Sequence, residues 1–204
     1  LIEDCGRLGL PVVLVNRAGA SNWGDRVVAE NARAGQLAAR ILIDSGATCL
    51  GCLVPRKKTF SVSGRAKAFF SAAASEGLPT EVLYAEDQGY EDARIGINET
   101  DRAIFGRIDG LFCSTDLMAI GALDALRIDL SIAVPEQIQV LGFDDIEQAN
   151  WGSFNLSTIR QDIDDQTYTV VRLLKERIAD NTLANRVERQ RLTVVLRGTT
   201  LHDG

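Results

Sequence analysis

Apolar residues recur along this chain with two periods, and the two alternate. Short runs at 11–15, 26–29, 49–54, 81–84, 108–113, 138–143 and 192–196 are apolar or β-branched at most positions and read as buried strands. Between them the period lengthens. Ala34, Leu37, Ala38, Ile41 and Leu42 fall at i, i+3, i+4, i+7 and i+8, one buried helix face, closed by Gly46. Val62, Ala66, Phe69, Phe70 and Ala73 mark a second helix, ending at Gly77. Further helices are predicted over 90–104, 117–127 and 166–179, the last amphipathic through Val170, Val171, Leu174 and Ile178. Strands alternating with helices predict an α/β fold with doubly wound parallel sheets. The segment 151–157 reads as loop, and the mixed charges of 186–191 read as a solvated connection.

The central stretch is 138–146. Its strand runs out through Gly142 and Phe143 into Asp144 and Asp145, so a carboxylate stands where the strand leaves the sheet. Ligands of open α/β sheets bind outside the carboxyl ends of the strands. An Asp there also suits the turn that follows, and this stretch alone leaves the two readings level. Other strand exits carry polar residues too: Asn16 and Arg17, Glu30, Ser61 with Arg65, and Thr115 with Asp116. In a parallel sheet these exits share one side. Each has a plain alternative: turns for Asn16, solvation for Arg65, helix capping for Asp116, and for Asp116 capping is the better reading. Together, fixed carboxylates and an Arg, with Tyr90 or Trp151 as apolar plates, suit a polyhydroxylated ligand. A hydroxyl donates to a carboxylate and accepts from a guanidinium, and an aromatic face covers the C–H surface of a sugar ring.

Composition narrows the choice. The chain has 204 residues and a formal net charge of −6, which makes it a poor candidate to grip nucleic acid by itself. No apolar run approaches the roughly 18 residues of a membrane span. Cys49 and Cys52 have C-x-x-C spacing on a predicted strand, where i and i+3 point to opposite faces, and no His cluster completes a zinc site. No metal site and no cofactor are indicated. Catalysis has little support: no G-x-S-x-G, P-loop or G-x-G-x-x-G is present, and His202 is the sole His. Asp144 and Glu30 as an acid/base pair are the weakest reading, so the chain is expected not to be an enzyme.

Several blocks in order carry a resemblance: 9–17, 28–31 with Gly35, Ser61 and Arg65 with Phe69 and Gly77, 109–116 with Met118, Ala119 and Gly121, Val134-Pro135, Gly142-Phe143-Asp144-Asp145, 156–161 and 196–200. In these the chain resembles the effector-binding domain of the lactose-repressor (LacI/GalR) family of bacterial transcription regulators, nearly end to end. The resemblance implies two periplasmic-binding-protein-like α/β subdomains joined by three crossovers, with a small-molecule effector between them. Residues 1–46 and 161–190 would form the first subdomain, and 47–160 with 191–204 the second. Arg65 and Asp144 match the family's effector-gripping pair; Ser61, Thr115 and Glu30 match neighbouring contacts, and Ile163 an apolar one. Tyr90 falls near the aromatic contact, and Asn16 belongs to the same strand-end set. Glu30 stands where Asp is usual and Thr115 where Asn is usual, so the effector's identity does not carry over.

The family pattern also implies partners: operator DNA through a helix-turn-helix absent from this chain, a second copy in a homodimer, and a cytoplasmic setting without membrane. About 60 residues of the first subdomain are expected to be missing along with the DNA reader, at roughly 30 residues per strand–helix–strand unit. The alternative reading is a periplasmic sugar-binding receptor of a transport system, which shares the two-lobed fold. Four cysteines without a disulfide pattern count against that oxidising compartment.

Overall fold

A computed structural model describes residues 2–16, 23–57 and 59–201; Arg17 and His202 lie outside the described residues. The chain divides into two compact units, 1–30 with 161–192 and 31–160 with 193–204.

The first unit carries a parallel sheet ordered β1 (Val13–Val15), β2 (Asp25–Ala29) and β8 (Val187–Gln190), with helices α1 (Ile2–Arg7) and α7 (Ile163–Ala179). β8 corrects the expectation of a solvated connection at 186–191. Its backbone pairs with β2, from Arg26 beside Val187 to Ala29 beside Gln190, and its Glu188 meets Arg172 of α7 at 3.1 Å. Arg186 and the fully buried Arg177 of α7 both close on Asp25, which is itself fully buried. Alternation hid this strand, since charged and polar residues fill most of its positions.

The second unit holds a six-stranded sheet ordered β4 (Thr80–Ala85), β3 (Leu50–Pro55), β5 (Gly110–Cys113), β6 (Gln139–Asp144), β7 (Ser157–Gln161) and β9 (Leu192–Val195). The first five are parallel. β7 is an addition to the sequence reading, which ended a loop where this strand begins. Helices α2 (Asn31–Asp44) and α3 (Phe60–Ser75) pack together, as do α4 (Tyr90–Glu99) and α6 (Asp116–Asp124). Strand alternation serves both layers: Phe112 stacks on Phe69 of α3 with ring centroids 5.3 Å apart, while Leu53, Leu111 and Cys113 join the core with α4 and α6. The expected helix over 90–104 breaks at Thr100 into α4 and a short α5 (Arg102–Phe105), and α6 continues as a π-helical turn, Ala125–Asp129.

The expected boundary at residue 46 moves to 30. α2 lies against α3 and the strands β5 and β6, so it belongs to the second unit. Gly35 is the physical reason the two helices meet so closely. A Cβ there would stand 2.1 Å from the Arg65 carbonyl oxygen and 2.8 Å from the Phe69 nitrogen, both backbone atoms that cannot step aside. Gly35→Ala is therefore expected to destabilise the chain by about 1–3 kcal/mol, the cost of overpacking. A urea midpoint equal to that of the unmodified chain would contradict it.

Candidate functional site

The sheet order places β3 with β4 on one side and β5 on the other, so the connections after β3 and β5 leave in opposite directions. Such a switch point opens a crevice at the strand ends. Four of the predicted site residues lie at these exits in the second unit. Ser61 and Arg65 sit in the first turns of α3, Thr115 immediately before α6, and Asp144 at the end of β6.

Arg65 is not the solvated side chain that its helix position allowed. It is 5 % exposed, and its guanidinium lies over the ring of Phe143, 3.9 Å from the centroid. Burial lowers its pKa to about 10, with Asp144, Cys52 and Asp116 pulling the other way, so it stays cationic at neutral pH. Its Nε–H has no hydrogen-bond partner among the described residues. Most buried donors are satisfied, and an unsatisfied one on a cation beside a carboxylate is a place for an acceptor.

Asp144 and Asp145, adjacent in sequence, do different work. Asp145 is locked into the fold by Arg160 at 2.6 Å and Arg197 at 2.7 Å. Asp144 is half-buried and within electrostatic reach of the Arg65 guanidinium. Both backbones are left-handed, φ 124° at Asp144 and 61° at Asp145, conformations that L-residues adopt at a cost.

Thr115 caps α6: its hydroxyl accepts from the Met118 N–H at 3.3 Å, which leaves the hydroxyl proton available to a ligand acceptor. This corrects the reading of Asp116 as the cap. Asp116 is the first residue inside α6 and fully buried, and the Thr158 hydroxyl donates to it at 2.6 Å. Tyr90 begins α4, packs on the core, and donates its hydroxyl to Asp124 of α6 at 2.6 Å. That geometry employs it between two helices. Trp151 stacks on Phe154. An aromatic that sequence reasoning passed over is Tyr84 of β4, 43 % exposed with the Arg56 guanidinium 4.9 Å from its ring centroid. With Val62, Phe70 and Val82 it lines a groove of about 390 Å³. Its signal was the alternation of β4, where Val82 and Tyr84 face away from the buried Leu83 and Ala85.

The remaining candidates lie in the first unit. Asn16 ends β1 with φ 51°, and its Oδ1 accepts from the Ala29 N–H at 3.1 Å, which sets it beside the exit of β2. Glu30 follows β2 and is half-buried, and Ile163 opens α7, exposed. Among the described residues no group of three His, Cys, Asp or Glu side chains forms a metal cluster, and no helix is long and apolar enough to cross a membrane.

Residues 39–200 match the periplasmic binding protein-like domain family. The HTH-type transcriptional repressor PurR of Vibrio parahaemolyticus is 29 % identical over 191 residues, covering 93 % of this chain and 57 % of that protein. The ribose operon repressor of Lactococcus lactis is 26 % identical over 160 residues, covering 78 % of this chain and 48 % of the relative. The chain thus spans about half the length of these curated relatives. Among solved structures, a LacI family transcriptional regulator from Enterococcus faecium with bound ribose superposes with a TM-score of 0.87 at 22 % identity, over 97 % of this chain and 73 % of that one. The chain belongs to the periplasmic binding protein-like domain family.

Proposed function

We propose that this chain is the effector-sensing part of a bacterial DNA-binding transcription regulator, a repressor, and that its effector is a sugar or sugar derivative. The observation that carries the ligand chemistry is Arg65: a buried guanidinium with an unpartnered N–H, held over Phe143 and beside Asp144. A vicinal diol satisfies both groups, accepting from Arg65 and donating to Asp144, and Thr115 and Ser61 add hydroxyls at the same strand ends. The repressor names of its relatives support the regulatory reading, and two of the three similar proteins carry ribose in their names.

Regulation follows from linkage. An effector shifts operator affinity only by its differential affinity for the two conformations of the whole protein. Operator DNA would be read by a helix-turn-helix outside this chain, as a homodimer on paired half-sites, in the cytoplasm. Calorimetry against D-ribose, D-xylulose, D-glucose, cellobiose and the purine bases tests the ligand class. One sugar is expected to bind with a 1:1 stoichiometry and the bases not at all. A base that binds while every sugar stays silent would overturn the sugar assignment.

A further inference from the structure

Asp116 is a buried acid at the strand ends that a ligand cannot reach, since it is fully covered. Three donors close over it. Its Oδ1 accepts from the Thr158 hydroxyl of β7 at 2.6 Å, its Oδ2 from the Ile146 backbone N–H at 2.9 Å, and the Asp145 N–H donates to it as well. Gly142 of β6 is the seat: a Cβ there would stand 2.2 Å from Oδ1. The carboxylate therefore rests on the backbone two residues before Asp144 and grips the backbone one and two residues after it. Between these contacts Asp144 and Asp145 hold left-handed φ angles. Non-Gly residues in such regions cost of order 1–3 kcal/mol each and persist only where the surroundings over-determine them.

The arrangement also costs stability. Burial pushes the Asp116 carboxyl up to about 6, outweighing the hydrogen bonds from Thr158, Ile146 and Asp145 that lower it; Asp144 adds to the rise. A folded-state carboxyl raised above its unfolded value binds a proton that the unfolded chain does not. Stability therefore rises as pH falls from about 6 toward 4, and at neutral pH the ionised group is a net burden. Sites that keep such a burden commonly do so for function.

We propose that Asp116 is a positioning residue: its carboxylate fixes the Asp144–Asp145–Ile146 turn so that the Asp144 carboxylate is presented beside the Arg65 guanidinium. It touches no ligand, and the assignment deepens the reading of Arg65 and Asp144 as ligand contacts, on which it rests. The ionisable groups facing it are Asp144 from β6, Arg65 from α3 and the buried Cys113 thiol from β5. Burial holds that thiol well above its ordinary value and Arg65 stays cationic, so neither changes charge near neutrality. When Asp116 takes a proton, one oxygen turns from acceptor to donor and the bonds from the turn amides lose their charge assistance.

Amide NMR of the ¹⁵N-labelled chain between about pH 5 and pH 8 tests this without a ligand. The Asp145 and Ile146 amides are expected to titrate together near pH 6. Thr158→Val removes one donor to the carboxylate and should move that midpoint upward. Asp116→Asn should abolish the titration and raise the mobility of 144–146 while leaving 139–142 unchanged. Amides that do not titrate, or a 144–146 segment as ordered in Asp116→Asn as before, overturn the proposal. Should Asp116→Asn fail to fold, the Thr158→Val midpoint decides.

D-ribose titrations form the second arm, with Asp116→Asn expected to lose about tenfold in affinity, the scale of outer-shell substitutions. Affinity unchanged in a variant whose turn has loosened would overturn the link to the ligand. If neither D-ribose nor any other sugar of the panel binds the unmodified chain, the ligand assignment fails by itself, and the amide titration still decides whether Asp116 holds the turn.

Discussion

Arg177→Ala is expected to destabilise the first unit by about 3–5 kcal/mol, the cost of leaving one member of a buried ion pair behind. Arg177 is 1 % exposed and grips Asp25 with both Nε and Nη2 at 2.9 Å. It also donates to the Leu183 and Ala184 carbonyls at 3.2 Å and to Asn185 Oδ1 at 2.9 Å. One side chain thus ties α7 to β2 and pins the loop that delivers β8. Arg186, whose Nη2 lies 2.8 Å from Asp25, remains to offset part of the loss. Urea unfolding followed by Trp23, the tryptophan of this unit, should show the shift, with Trp151 replaced by Phe to keep the signal local. Replacing both partners, Asp25→Leu with Arg177→Met, should cost less than Arg177→Ala alone, because no bare charge is left. If the single variant leaves the midpoint in place, the network contributes nothing. Acid exposes the same device. Burial alone would raise the Asp25 carboxyl, but its bonds to Arg177 and Arg186 prevail and lower it from 3.8 to about 2. A depressed carboxyl contributes stability that is full above its unfolded value, so this contribution should fade as pH falls from about 4 to about 2.

Arg65→Ala and Asp144→Asn are expected to weaken sugar binding by about 2 kcal/mol or more each, roughly thirtyfold, through loss of a charge-assisted hydrogen bond. The two differ in their side effects. Asp144 is half-buried, and its amide keeps the shape, so the fold should be spared. Truncating Arg65 also strips the guanidinium from the face of Phe143 and opens a cavity, which should lower stability as well as affinity. Arg65→Lys separates the two effects, keeping charge and stem but losing the planar fork. Calorimetry with whichever sugar binds the unmodified chain gives the comparison. Undiminished affinity in both Asp144→Asn and Arg65→Lys would remove this pair from the ligand site.

The central strands β3 and β5 are legible because they are buried on both faces and run apolar at most positions. β8 is hidden because three of its four residues, Glu188, Arg189 and Gln190, are polar, and the Arg172 that pairs with Glu188 lies 16 positions away, where no local pattern announces it. Strand exits place Asp144 and Arg65 among the polar residues of one side but leave turn and solvation as equal readings; the family resemblance singles them out. The burial of Arg65 is legible in neither, since it depends on Phe143, 78 positions further along the sequence, lying beneath it. At Asp116 the local pattern misleads for the opposite reason. Thr115 and Asp116 are both good caps, and only the fold reveals that the second is drawn inward by Thr158 and Ile146. The commitment of the Tyr90 hydroxyl to Asp124 is likewise invisible in the sequence, because the two residues lie on different helices 34 positions apart.

The second unit's sheet is fastened by residues synthesised long after the strands they fasten. Val140 donates to the Thr199 carbonyl at 2.8 Å, Thr199 returns its hydroxyl to Val140 at 2.7 Å, and Leu201 donates to Gln139 at 2.8 Å. The Thr199–Val140 pair spans 59 positions. At translation rates of about 5–20 residues per second, β6 waits roughly 3–12 s on a growing chain before its clasp exists. Through that interval the rim of the nascent sheet is open to mispairing, and the whole first-unit segment 161–192 must be threaded out before the second unit can close. The domain is thus most exposed while it is being made, and slowing translation between residues 140 and 199 is expected to lower its folded yield.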